Sequence, residues 1–102
     1  MAKLVVLYKK AQNAAAFNSY YAATHAPLAK KIPGLRDFQV STGPVTTPQG
    51  DSPYQLVAML SFDSLDALQR GLSSPEGQAA AGDLGNFAQA GVELLMFETK
   101  SA

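Results

Sequence analysis

Three short segments of this chain carry apolar side chains at odd and even positions alike. The first covers residues 3–9, where Leu4 and Val6 would point to one side of a strand and Val5 and Leu7 to the other. An antiparallel sheet with one face in water alternates apolar and polar residues. These segments do not, so the sequence predicts a sheet that is covered on both faces.

Turn and capping residues divide the chain into strand, helix, strand, strand, helix and strand. Asn13 is predicted to cap a helix that begins at Ala14, and Ser74 followed by Pro75 is typical of a second helix start. The predicted strands cover residues 3–9, 35–41, 54–62 and 92–97. This order matches the ferredoxin-like α+β fold, βαββαβ, with helices on one face of an antiparallel sheet. We expect one domain over residues 1–102.

The helical segments suffice to cover only one face of such a sheet. The other apolar face would then meet the same face of a second copy, because a two-fold contact places one patch against itself. We therefore predict a homodimer formed through the sheet faces.

Composition excludes several classes of site and partner. The chain has no Cys and one His, which excludes disulfides, thiolate nucleophiles and multi-histidine metal sites. The 8 Lys and Arg balance the 8 Asp and Glu, so net charge gives no attraction to nucleic acid or anionic lipid. The apolar run over residues 4–8 is too short for a signal peptide or a membrane span, so we expect a cytoplasmic protein.

His25 is the first candidate for chemistry, because it is the one side chain with an unperturbed pKa near neutrality. Pro27 disfavours helical geometry at Ala26, so the first helix should end or kink beside His25. Tyr21 lies one turn earlier on the same helix face, where its hydroxyl could orient the imidazole or bind a substrate carbonyl. The structural alternative is that His25 bonds backbone groups freed by Pro27 and that Tyr21 is a core aromatic.

Three further aromatic residues lie on three different predicted strands and could line a pocket with His25: Tyr8, Phe38 and Tyr54. Aromatic residues on strands belong more often to the core than to a ligand site, so both interpretations stay open. Tyr20 is expected to serve packing. No Gly-x-Ser-x-Gly motif or glycine-rich phosphate loop occurs, which argues against hydrolase, kinase and nicotinamide dehydrogenase functions.

The segments Tyr20-Tyr21, Thr24-His25-Ala26-Pro27-Leu28 and Ile32-Pro33-Gly34-Leu35, in this order, resemble the EthD family, named for a protein associated with bacterial ethyl tert-butyl ether degradation. The likeness covers nearly the whole chain. It implies a dimeric α/β barrel, in which two ferredoxin-like subunits place their sheets back to back. It also implies a pocket between the helices and the sheet of each subunit.

The resemblance leaves the reaction open, because similar proteins isomerise lactones, dehydrate or cyclise polyketides, oxygenate quinols without a cofactor, bind haem or have no established activity. We expect a protein of small-molecule catabolism, such as xenobiotic degradation, that holds a small apolar or oxygenated compound. His25 would be its acid or base, assisted by Tyr21, with no cofactor and no metal. The alternatives are a non-catalytic binding or accessory protein in which His25 is structural, and a protein in which His25 is an axial haem ligand.

Overall fold

The computed structural model describes all 102 residues. Its elements are β1 (Ala2–Lys9), α1 (Ala14–Tyr20), a π-helical turn (Tyr21–His25), α2 (Ala26–Ala29), β2 (Asp37–Val40), β3 (Thr46–Thr47), β4 (Gly50–Asp51), β5 (Tyr54–Phe62), α3 (Leu65–Ser73), α4 (Pro75–Phe87) and β6 (Val92–Glu98). The two-residue strands β3 and β4 form a small hairpin in the connection between β2 and β5. No helix of the chain combines the length and the apolar character needed to cross a membrane.

The main sheet has the strand order β2-β5-β1-β6, and every neighbouring pair is antiparallel. The helices cover one face. The predicted α+β fold with a ferredoxin-like sheet is therefore confirmed. The helix boundaries follow local capping: the side chains of Asn13, Ser64 and Ser74 each accept a hydrogen bond from a backbone N–H of the first turn of their helix.

The core lies between the helices and the sheet. Burial alternates strictly along β1, so that every second residue from Ala2 to Tyr8 is buried while its neighbours are only half-buried. Each large apolar side chain placed there contributes about 1.5–3 kcal/mol through the area it removes from water. The core residues of the two central strands are Ala2, Leu4, Val6, Tyr8, Leu56, Ala58, Leu60 and Phe62.

The opposite side of the sheet, called the open face below, is also apolar. Strand register places six apolar side chains together there: Val5, Leu7, Val57, Met59, Leu95 and Phe97. Of these, Leu95 is 50% exposed and Phe97 is 42% exposed, although both are large. In a single chain this face is therefore left without a covering layer.

Candidate functional site

The π-helical turn places two candidate residues, because Tyr21 opens it and His25 closes it. The backbone N–H of Ala26 bonds the carbonyl of Tyr21, five residues earlier, which is the wider spacing of a π turn. Pro27 has no N–H to give and its ring crowds the preceding turn, and a wider turn accommodates both effects. The disturbance of the helix expected beside His25 takes the form of this π turn, and the backbone then continues through Pro27 into α2.

A cavity of about 50 Å³ lies between the helices and the sheet, where the structure brings together four of the five predicted site residues. His25 and Tyr21 reach it from the π turn, Tyr8 from β1 and Phe38 from β2. Fourteen of its sixteen lining residues are hydrophobic, and His25 is the one lining residue with an ionisable nitrogen. A single imidazole thus lines a cavity whose wall is otherwise almost entirely hydrophobic.

The main polar partner of His25 is Asp83 of α4, a residue that the sequence analysis did not select. The Nδ1 atom of His25 lies 3.0 Å from Oδ2 of Asp83, and both side chains are more than nine-tenths buried. The other carboxylate oxygen accepts hydrogen bonds from the Tyr20 hydroxyl at 2.6 Å and from the Asn86 amide at 2.9 Å. Tyr20 therefore does more than pack, because it helps to hold the partner of the histidine.

These contacts set the charge of the pair. Burial disfavours the charged form of Asp83, but the hydrogen bonds from Tyr20, Asn86 and His25 outweigh it and hold the pKa of Asp83 below its ordinary value. Burial lowers the pKa of His25 below its ordinary value of 6.5, and Asp83 opposes that effect only in part. At neutral pH the carboxyl is ionised and the imidazole is neutral. Because a carboxylate can only accept, the proton of the ring resides on Nδ1 and Nε2 keeps a free lone pair.

The two tyrosines of the cavity stay neutral as well. Burial raises the pKa of Tyr21 to about 12. Burial also raises the pKa of Tyr8 well above its ordinary range, and the neighbouring hydroxyl of Tyr21 adds to this effect. The ring centroids of Tyr21 and His25 are 5.4 Å apart. Tyr21 is thus a neutral hydroxyl beside the imidazole, while Asp83 makes the hydrogen bond to the ring.

Phe87 fixes the position of the histidine from the side of α4. Its ring centroid lies 4.7 Å from that of His25 and 5.3 Å from that of Tyr20, on which it is stacked. It also contacts Tyr8 at 5.6 Å between centroids. Contacts of this kind with aromatic rings leave the imidazole little room to rotate.

Tyr54 lies outside the cavity. Simple alternation along β5 would place Tyr54 on the same face of the sheet as the core residue Leu56. A register shift between Tyr8 and Lys9 instead pairs Tyr54 with Lys9, a residue of the open face. Its hydroxyl donates to Glu93 at 3.0 Å, and the Lys9 ammonium lies 5.0 Å above its ring. Tyr54 therefore belongs to a surface cluster.

A haem does not fit the residues around His25. Ligand pockets for larger molecules enclose roughly 300–1,000 Å³, and this cavity is several times smaller. No group of three or more His, Asp or Glu side chains lies where it could hold a metal ion.

Comparison with known proteins identifies close relatives. The family model that describes the EthD domain matches residues 9–91 of this chain. An uncharacterized 11.0 kDa protein of the thcB-thcC intergenic region of Rhodococcus erythropolis is 34% identical over 103 residues, covering 99% of this chain and 97% of that protein. The crystal structure of an ethyl tert-butyl ether d (EthD) family protein from Bacillus halodurans is 37% identical, with a TM-score of 0.90, and the match covers 98% of this chain and 99% of that one.

Two more distant structures share the fold. SnoaB, a cofactor-independent oxygenase from Streptomyces nogalater, is 23% identical with a TM-score of 0.65, covering 99% of this chain and 94% of that one. A dimeric protein of unknown function and ferredoxin-like fold from Bacteroides fragilis is 24% identical with a TM-score of 0.63, covering 96% of this chain and 95% of that one. At these identities the likeness establishes the fold alone.

Proposed function

The chain belongs to the EthD family, and from this premise we propose that it binds a small apolar or oxygenated organic compound between its helices and sheet and moves a proton through His25. The observation that carries the proposal is the pairing of His25 with Asp83 at 3.0 Å at the wall of an otherwise apolar cavity. A buried acid that orients a lone imidazole is an arrangement typical of general base catalysis.

The proposed step uses only side chains of this chain. The free Nε2 of His25 removes a proton from the bound compound, and the resulting imidazolium is stabilised by the Asp83 carboxylate on its other side. The neutral Tyr21 hydroxyl donates a hydrogen bond to the oxygen on which negative charge develops. Returning the proton to a different atom would complete an isomerisation. Giving it instead to a hydroxyl group of the compound, whose C–O bond then breaks and releases water, would complete a dehydration.

The absence of a cofactor belongs to this proposal. The apolar cavity and its single base suit chemistry in which the substrate itself delocalises the charge that the base creates. Cofactor-free oxygenation, an oxidoreductase reaction in which dioxygen is the oxidant, is one such reaction, and a cofactor-independent oxygenase shares the fold of this chain.

We propose that two copies form a homodimer, and hence a dimeric α/β barrel, through the open face. Its support is the group of apolar side chains that no other part of the chain covers, among them Met59, Leu95 and Phe97. A monomeric soluble protein rarely exposes an apolar patch of this kind across the middle of a sheet. The dimeric structure that shares the fold adds to this support.

One observation favours a second candidate function, a non-catalytic binding or accessory protein. The contacts among His25, Asp83 and Tyr20 tie the first helical segment to α4, a link that would also serve stability alone. Under this alternative the cavity still holds a ligand, but His25 takes no proton from it.

Exchange of carbon-bound hydrogen separates the two functions. Butanone is small enough for the cavity, and removal of its α-proton by Nε2 would let solvent deuterium replace it, which NMR in D2O detects. We expect the rate of this exchange with the protein to exceed the rate with the same concentration of free imidazole by about 100-fold or more, which is the usual contribution of a positioned base. His25→Gln should abolish the excess. An unaltered exchange rate in the variant, or no excess in the native chain, would contradict the acid–base role.

A matched comparison guards against simple unfolding. His25→Gln keeps a hydrogen-bonding side chain opposite Asp83, whereas His25→Ala leaves the carboxylate without that partner. The acid–base role predicts that both variants lose exchange while the first keeps most of its thermal stability. The non-catalytic role predicts a lower melting temperature in both and no exchange to lose.

A further inference from the structure

No Lys, Arg, Asp or Glu side chain lines the cavity, and we infer that the site takes uncharged ligands and rejects carboxylates and phosphates of the same shape. The inference rests on the proposed function, because it names the class of compound that the site beside His25 binds.

No cation is available to receive an anion. None of the 8 Lys and Arg side chains lines the cavity. Several are held at the surface by carboxylates of their own, as Arg36 is by Asp63 and Arg70 by Asp66. An anionic ligand would therefore lose its hydration without gaining an opposite charge, which is costly in an apolar site.

A fixed negative charge lies directly behind the histidine. The partners of Asp83 are His25, Tyr20 and Asn86, none of which carries a positive charge while the imidazole is neutral. A carboxylate placed against Nε2 would face this charge across the width of one ring. Repulsion therefore adds to the cost of desolvation.

The free polar atoms suit one donor and one acceptor on the ligand. The Nε2 lone pair of His25 accepts a hydrogen bond, and the Tyr21 hydroxyl can donate one. Both atoms belong to residues that line the cavity. A primary amide or an alcohol offers this pair of groups without a net charge, and an enolisable ketone offers an acceptor oxygen together with an acidic C–H.

The size of the cavity limits the ligand further. It encloses about 50 Å³, and a single water needs about 10–15 Å³ in the same measure. That space suits a compound of roughly four to six non-hydrogen atoms. Leu94 of β6 belongs to the cavity wall and is also 46% exposed, so a side chain at this position contacts both the cavity and the solvent.

Isobutyramide and isobutyrate test the inference, because they have nearly the same shape and differ in charge at neutral pH. The chain has one His, so the ring protons of His25 give an unambiguous NMR signal for either probe. We expect isobutyramide to shift this signal in a saturable manner. Isobutyrate should bind at least about 100-fold more weakly, a difference that corresponds to two tenfold steps in affinity.

A positive charge introduced at the cavity wall should reduce this preference. Leu94→Arg places a guanidinium at a half-exposed position, and we expect the variant to gain at least tenfold in affinity for isobutyrate. Met96→Arg is the matched control, because Met96 is 48% exposed on the same side of the same strand but does not line the cavity. The control should bind both probes as the native chain does.

The outcomes separate the inference from the function on which it rests. Saturable binding of isobutyrate at the affinity of isobutyramide would overturn the inference and leave the binding role of the cavity intact. A histidine signal that responds to neither probe at any attainable concentration would contradict the proposed binding function, and the inference with it.

Discussion

The Nδ1 atom of His25 lies 3.0 Å from Oδ2 of Asp83, although 58 residues separate them along the chain. One residue closes a π turn in the first helical segment and the other lies within α4. Their contact fixes which ring nitrogen carries the proton and so leaves the other available to the cavity. The chemistry that we propose depends on this relationship.

Replacing the carboxylate should uncouple the base from its charge partner. In Asp83→Asn the imidazolium that forms during proton transfer loses its stabilising anion, and the amide can donate to Nδ1 and reverse the tautomer of His25. We expect butanone exchange to fall by about 100-fold or more. Stability should fall by about 1–3 kcal/mol, as measured by urea unfolding, because a buried hydrogen-bond partner changes.

The control for this variant is Asp66→Asn, which removes a carboxylate from an exposed pair with Arg70 one helical turn away. Pairs of this kind contribute little, so neither exchange nor stability should change measurably. If Asp83→Asn exchanged the protons of butanone at the native rate, His25 would act without the carboxylate or would not act at all.

The Tyr20 hydroxyl should also affect exchange and stability, because it donates a hydrogen bond to Asp83, the partner of His25. Tyr20→Phe removes the 2.6 Å hydrogen bond to Asp83 and keeps the ring that stacks on Phe87. We expect a lower urea midpoint and slower exchange, because Asp83 loses a donor that favours its charged form. Tyr54→Phe is the control: its hydroxyl bonds an exposed Glu93, so both measurements should stay at native values. Equal effects in the two variants would contradict a special role for Tyr20.

Much of the fold was predictable because its determinants are local. The caps at Asn13 and Ser74 act within one helical turn, and the strand β5 runs from Tyr54 to Phe62 as the apolar pattern indicates. The π turn was not predicted, because Pro27 signals a disturbed helix without specifying whether the backbone ends, bends or widens.

The site was less accessible to sequence reasoning. An acid at Asp83 on the buried stripe of α4, between Ala80 and Phe87, was a signal that could have singled it out. Its partner on a distant helix could not be read from spacing, because the packing of α4 against the π turn is a tertiary contact. Tyr54 was grouped with the cavity residues because a one-residue register shift cannot be seen in alternation alone.

Stability should depend on pH through the same histidine. The pKa of His25 is lower in the folded chain than its ordinary 6.5, so the unfolded chain binds the proton more readily. The contribution of His25 to the free energy of unfolding is therefore fully present above about pH 6.5. It is lost as the pH drops below this value, by at most about 1.4 kcal/mol per pH unit. Urea unfolding across this range should reveal the slope, and His25→Gln should remove it. The same slope in the variant would assign the effect to groups other than His25. Asp83 is not one of them, because the hydrogen bonds that it accepts hold its pKa below its ordinary value.

Two adjacent residues of β6 test the proposed dimer. Leu95 lies on the open face and Leu94 on the helix side, and the two are 50% and 46% exposed. Leu95→Glu would bury a charge in the proposed contact. We therefore expect the dissociation constant of the dimer, measured by sedimentation, to rise by at least about 100-fold. Leu94→Glu should sediment as the native dimer. A native chain that sediments as a monomer at micromolar concentration would contradict the dimer outright.

The state of the lone imidazole at neutral pH is the most direct test of the whole account. Two-dimensional NMR that correlates the ring nitrogens with the ring protons reports both the charge and the tautomer, and one His makes the assignment unambiguous. We predict a neutral ring at pH 7, with the proton on Nδ1, an unprotonated Nε2 and a titration midpoint below 6.5. A ring that is charged at pH 7, or that carries its proton on Nε2, would contradict the proposed base.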